Sequence, residues 1–220
     1  FEGVVTGAAD GFGRMRGTPA ATLTHLGPGL GNGLANLHNA KKARTPVVNV
    51  IGDHATFHRQ YDAPLSSDVA GIAAPVSGWL KVSESADDVA RDGAEAVQAS
   101  MGPPGQVASL ILPADTAWNR TEAQADPLPK IAAQPVDIAG VESVAKALHS
   151  GKPAAILMNG VLTEERLVLA NKIAQKTGAR IISDTFISRM RRGAGIPEIL
   201  RLPYFGEQAA EVLEGVEHLI

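Results

Sequence analysis

No cysteine occurs anywhere in the 220 residues, so disulfides, thiolate nucleophiles and cysteine-bound zinc are all excluded. That absence suits a reducing compartment, and a cytoplasmic location is the expectation. Aromatic residues are also scarce, at 4% of the chain, while glycine and alanine are plentiful, which favours closely packed helices and strands. No apolar run approaches the roughly 20 residues that a membrane-spanning helix needs, and no secretory signal is visible. A strong charge of either sign is missing too. The formal net charge is −3, and only "RMRR" (Arg189, Arg191, Arg192) looks concentrated. A nucleic-acid binder would carry a longer basic stripe, so neither nucleic acid nor a membrane is an expected partner.

What is present is ordinary globular composition, with 45% hydrophobic and 20% charged residues. The clearest break is "PADTAWNRTEAQADPLPKIAAQP", residues 113–135, rich in Pro, Ala and polar residues and without a sustained period. The expected division is a first domain over 1–118, a linker over 119–135 and a second domain over 136–220. The chain opens without Met, already in mid-pattern, and its last residues, "EHLI", read as a strand just beginning. A piece of a longer protein is therefore expected, with both domains incomplete.

Strands and helices alternate along the chain. Gly3 to Arg16 reads as a helix with Val4, Val5, Ala8, Phe12 and Met15 near one face. "AATLTH" reads as a buried strand, followed by a glycine-rich turn and a helix from about Gly31 to Ala43. "PVVNVIG" is the next strand, and "DHATFHRQYDAPLSSD" is an irregular loop whose length suggests function. "SADDVARDGAEAVQASM" is a helix with Ser85 as N-cap and acids in its first turn. "QVASLILP" is a further strand. After the linker come the helices "VESVAKALHSG", "TEERLVLANKIAQKTG" (capped by Thr163, stopped by Gly178) and "EQAAEVLEGV", with the strands "PAAILMNG" and "ARIISDTF". Such alternation predicts parallel α/β sheets in three-layer domains.

The stretch "TLTHLGPGLGNGLAN", residues 22–36, admits three readings. A dinucleotide fingerprint needs G-x-G-x-x-G, but counting from Gly27 the third glycine falls on Asn32. A P-loop would need a Lys that is absent. A purely structural turn would use the glycines for positive φ and close packing. The third reading comes from a wider pattern: Glu2, the "AADGFGR" helix, a strand, "GPG" with Asn32 after it, and "TPVV" leading into "IGD". In that order and spacing the first domain resembles the pyrimidine-binding domain of thiamine-diphosphate enzymes, acetolactate synthases and benzoylformate decarboxylases in particular. The rest of the chain is similar to the family's central Rossmann-like domain.

This resemblance implies thiamine-diphosphate-dependent decarboxylation of a small-molecule 2-oxo acid, with or without carboligation. A benzoylformate-type decarboxylase and a catalytically silent structural subunit are the alternatives. Glu2 matches the glutamate that activates the aminopyrimidine, a task suited to a buried carboxyl with a raised pKa. His25 matches a histidine that handles protons or the substrate carboxylate. Gly27, Pro28, Gly29 and Asn32 would shape the pyrimidine pocket. Asp53 stands where acetolactate synthases generally carry a glutamine, and Asp53 and the following His54 are candidates for contacting substrate. Asp53, His54, His58 and Asp62 lack a metal-ligand spacing, so no metal site is expected among them. The family holds the diphosphate and Mg²⁺ through a G-D-G…N segment of a C-terminal domain, which these residues lack, and FAD binding stays open. Active sites between subunits of a homodimer or homotetramer are also implied.

Overall fold

The computed structural model describes residues 1–220, which divide into two compact units, Phe1–Ala133 and Gln134–Ile220. The first unit runs α1 (Glu2–Arg16), β1 (Ala20–His25), α2 (Leu26–Lys42), β2 (Val47–Asp53), α3 (Val69–Ala73), β3 (Trp79–Val82), α4 (Val89–Met101), β4 (Val107–Pro113) and α5 (Ala114–Trp118). Its four strands form one parallel sheet in the order β1-β2-β4-β3. The predicted parallel α/β sheet is therefore what the chain builds. Leu30, Leu37, Val47, Ile51, Val107 and Ile111 make the core on one face of the sheet. Val48, Ala96, Ala99, Ala108 and Leu110 make a smaller core on the other, against α4. The central strands read as near-continuous apolar runs because both faces are covered.

Several local expectations are corrected. The apolar face read on α1 points outward: Val4 is 68% and Met15 70% exposed, while Thr6, Ala9 and Gly13 are buried. Small residues face inward because α1 lies tight against its neighbours. A Cβ at Gly13 would come within 2.6 Å of the Pro46 carbonyl oxygen, and one at Gly33 within 2.9 Å of Thr6 Cγ2. The Thr6 hydroxyl also donates to the Gly33 carbonyl at 3.1 Å, so α1 and α2 touch backbone to side chain. The glycine-rich turn is not a turn. Gly27, Gly29, Gly31 and Gly33 lie inside α2, and the left-handed residue at the strand–helix junction is Leu26, φ 52°. Ser85 precedes a short 3₁₀ turn, Ala86–Asp88, and Asp88 is the N-cap of α4. Residues 114–118 of the stretch read as irregular form α5; 119–137 carry no regular element. The "WLKV" strand and α3 add to the predicted elements; both are short, the strand half-buried and the helix set within a long irregular segment.

A polar row crosses the first sheet beneath its core helices. Thr22 donates to Asn49 Oδ1 at 2.9 Å, Asn49 Nδ2 reaches Ser109, and Ser77 donates to Ser109 at 2.7 Å. Thr22, Asn49 and Ser109 are register partners on adjacent strands and all are buried. A one-residue slip would move these groups to the opposite face, so the row specifies register.

The second unit holds α6 (Ile138–Leu148), β5 (Ala154–Met158), β6 (Val161–Leu162), α7 (Glu164–Thr177), β7 (Arg180–Ser183), β8 (Arg189–Met190), β9 (Leu200–Arg201), α8 (Gly206–Leu213) and β10 (His218–Leu219). A parallel sheet orders them β10-β5-β7-β9, and β6 pairs β8 separately. The caps of α7 are as expected: Thr163 Oγ1 accepts from the Arg166 amide, and Gly178 closes the helix at φ 73°.

Candidate active site

The register of the first sheet sets His25 beside Gly52, and Gly52 beside Leu112, at the C-terminal ends of β1, β2 and β4. Parallel sheets bind ligands at that edge, where strands give way to loops and helix N-termini. A pocket of about 590 Å³ opens there. Its polar lining includes His25, Asp53, His54 and His58; Leu23, Leu26 and Leu112 are among its many apolar walls. Leu26 is buried and takes the left-handed conformation that lets the chain leave β1 and enter α2 at once. Such backbone in a non-glycine residue costs about 1–2 kcal/mol and is characteristic of functional sites.

Glu2, His25, Gly29 and Asn32 are brought together. A Cβ at Gly29 would lie 3.2 Å from Glu2 Oε1 and 3.3 Å from the His25 Cβ, so any side chain there would fill the space between them. Asn32 Nδ2 donates to Glu2 Oε2 at 3.1 Å. The buried carboxyl with a raised pKa is not what the chain holds. Glu2 is half-buried, and its pKa lies below the ordinary 4.5, first because its own amide hydrogen-bonds it and then because Asn32 donates to it. It stands ready as a charged acceptor. Gly27 instead faces the loop, where an added Cβ would collide with Ser67, and Pro28 is exposed in the first turn of α2.

Asp53 and His54 both line the pocket, but Asp53 is already engaged. Its Oδ1 accepts from the His54 amide at 2.7 Å, and its Oδ2 pairs with Arg59 at 2.7 Å. The His54 ring sits 5.0 Å from that of His58, and His54 Nε2 is buried without a hydrogen-bond partner. The loop is also held from the far side, where Asp115 accepts from the Thr56 amide at 2.9 Å and from its hydroxyl. Those two bonds keep the Asp115 carboxylate below its ordinary pKa, the hydroxyl contributing most. No three His, Asp or Glu side chains converge as metal ligands. Sequence reasoning missed Phe57, His58, Leu65, Leu112 and Trp118 as pocket residues. Their one available signal was position: all follow or end strands of a parallel sheet on its C-terminal edge.

Comparison with known proteins gives a consistent picture. Residues 1–72 match the family described as thiamine pyrophosphate enzyme, N-terminal TPP binding domain. The whole chain is similar, at 53% identity, to a Mycobacterium tuberculosis protein provisionally named acetolactate synthase large subunit IlvX, of which it covers 42%. Over 76% of its length it is 34% identical to a benzoylformate decarboxylase of Pseudomonas aeruginosa, covering 29% of that protein. The chain thus spans less than half the length of these relatives. Its fold matches a provisionally described thiamin diphosphate-dependent enzyme isolated from Mycobacterium smegmatis with a TM-score of 0.81. That match has 22% identity and covers 99% of this chain and 43% of that one. Gly29 leaves the space between the Glu2 carboxylate and His25 free of any side chain, as a flat ring bound against that carboxylate would require. These residues do not gather a divalent-metal site.

Proposed function

We propose, for a chain that belongs to the thiamine pyrophosphate enzyme family, that it acts in thiamine-diphosphate-dependent decarboxylation of a 2-oxo acid with carboligation to a second carbonyl compound. The observation that carries this reading is the meeting of Glu2, Asn32 and His25 around Gly29 beside the apolar pocket. Thiamine diphosphate, when bound, supplies carbanion stabilisation. Glu2, as a charged acceptor, would take a hydrogen bond from a nitrogen of the aminopyrimidine, with Asn32 orienting its carboxylate. Gly29 shapes the pyrimidine side. His25 moves a proton at the reacting carbon or steers the substrate carboxylate, and His54 and Asp53 face the substrate.

A benzoylformate-type decarboxylase without carboligation is the second reading. It is favoured by His25 at the pocket and by the similarity to a protein named benzoylformate decarboxylase. Because the chain covers 42% of its M. tuberculosis relative, the diphosphate and Mg²⁺ are proposed to be held by a further domain. The exposed apolar face of α1 supports assembly as a homodimer or homotetramer. No helix is long and apolar enough to cross a membrane, and a cytoplasmic location is proposed.

The test is calorimetric titration of thiamine diphosphate with Mg²⁺ into the intact protein and into a Glu2→Gln variant. Expected are tight binding by both and a kcat loss of about 10²–10⁴-fold in the variant, the usual contribution of one acid–base group. Absence of binding by the intact protein overturns the reading. Product analysis with pyruvate and phenylglyoxylate separates carboligation from simple decarboxylation.

A further inference from the structure

Two large aromatic side chains in an aromatic-poor chain stand at the rim of one pocket. Phe57, from the loop after β2, is 64% exposed; Trp118, from the end of α5, is 75% exposed. They arrive from segments 61 positions apart in sequence, yet both line the same 590 Å³ space with Leu65 and Leu112. Asp115 joins those segments. It lies in the same short helix as Trp118, and its carboxylate takes both the amide and the hydroxyl of Thr56, the residue before Phe57. The pocket has the size of a small-molecule site and the expected make-up of one, with apolar walls and a few polar groups. A methyl substituent would leave most of those walls uncovered, whereas an aryl group would cover them.

We infer that Phe57 and Trp118 are the walls that select the substrate's side chain, that this side chain is aryl or comparably bulky and apolar, and that Asp115 is the positioning residue that sets their spacing. The inference rests on the 2-oxo-acid reading above and names its substrate class. Phe57 and Trp118 act by contact with the side chain, away from the carboxylate and carbonyl. Asp115 acts only through them. Its loss would free the Phe57 loop from α5 without removing any group from the pocket.

The first measurement needs no cofactor and no turnover. Phenylglyoxylate and pyruvate are titrated into the intact protein while tryptophan emission is recorded, with Trp118→Phe as the spectral blank. Phenylglyoxylate is expected to give a saturable change that the blank lacks, and pyruvate none. Phe57→Ala is expected to raise the phenylglyoxylate midpoint about tenfold or more, the usual effect of a missing apolar contact. The second measurement is the ratio of kcat/KM for phenylglyoxylate to that for pyruvate, with thiamine diphosphate and Mg²⁺. Asp115→Ala should lower that ratio about tenfold, and Asp115→Asn, which can still bond both groups of Thr56, should restore it. An equal response to both acids, or an unchanged midpoint in Phe57→Ala, overturns the inference. So does a protein that turns over pyruvate alone, with the decarboxylase reading left standing. A saturable phenylglyoxylate response without turnover of any 2-oxo acid supports the pocket assignment and defeats the reaction instead.

Discussion

Two carboxylates in the first unit are held in their charged forms by different means. Glu2 is half-open to solvent and kept ionised by an amide and by Asn32. Asp92 is buried, 1% exposed, where desolvation alone would raise its pKa. Lys81 at 2.8 Å, Ser83 at 2.9 Å and Arg91 at 2.9 Å outweigh that and hold it below its ordinary 3.8. A depressed folded-state pKa contributes stability that is full above the unfolded value and lost as pH falls through the folded one. Urea midpoints of the wild type and Asp92→Asn should therefore differ clearly near pH 7 and converge as pH falls below 3.8. At neutral pH the variant should lose about 3 kcal/mol, since Lys81 and Arg91 lose a buried partner, a loss tempered by their own partial exposure. A constant difference across pH would show that the cluster does not titrate as described.

At the scale of elements, the α1–α2 contact depends on residues too small to register as core in a hydrophobic pattern. Gly33→Ala should destabilise the fold by about 1–3 kcal/mol, because the added methyl meets Thr6 Cγ2 at 2.9 Å. Thr6→Ser removes that methyl but keeps the hydroxyl bonded to the Gly33 carbonyl, and should recover much of the loss in the double variant. Thermal or urea unfolding of the four proteins gives the coupling, and simple additivity would contradict the contact. Strands β1, β2 and β4 of the first sheet and the caps of α7 are legible, since apolar runs and Thr or Gly at helix ends act locally, whereas the half-buried β3 is not. Nor is the entry into α2. Glycine spacing suggested a turn, but the conformational demand falls on Leu26, and the glycines serve the approach of Glu2, Thr6 and Ser67. Period alone could not separate an inward from an outward face on α1 either, because its buried side uses Thr, Ala and Gly.

For the whole molecule, the outward face of α1 is the surface on which the proposed assembly can be tested. Val4, Phe12 and Met15 are exposed, and such apolar faces are usually covered. Replacing Phe12 and Met15 together with Glu should shift sedimentation of the intact protein toward the monomer. Because both side chains face solvent within the chain, the stability of the subunit itself should change by no more than about 0.5 kcal/mol per site. An unchanged sedimentation coefficient would exclude α1 from the interface.

Read alone, the chain's residues settled those features that depend on neighbours in sequence: alternating strands and helices and an extended motif order that resembles one enzyme family. Its candidate residues Glu2, His25 and Asn32 could be picked out, but not their distances. Tertiary structure decided what depends on residues far apart in the chain. It brought Glu2 and Asn32 into hydrogen-bond contact, joined Thr56 to Asp115, and drew Phe57, Leu112 and Trp118 around one cavity. It also added the Asn32 donor that, after Glu2's own amide, lowers the pKa of Glu2, since a carboxyl's pKa follows its hydrogen-bond donors.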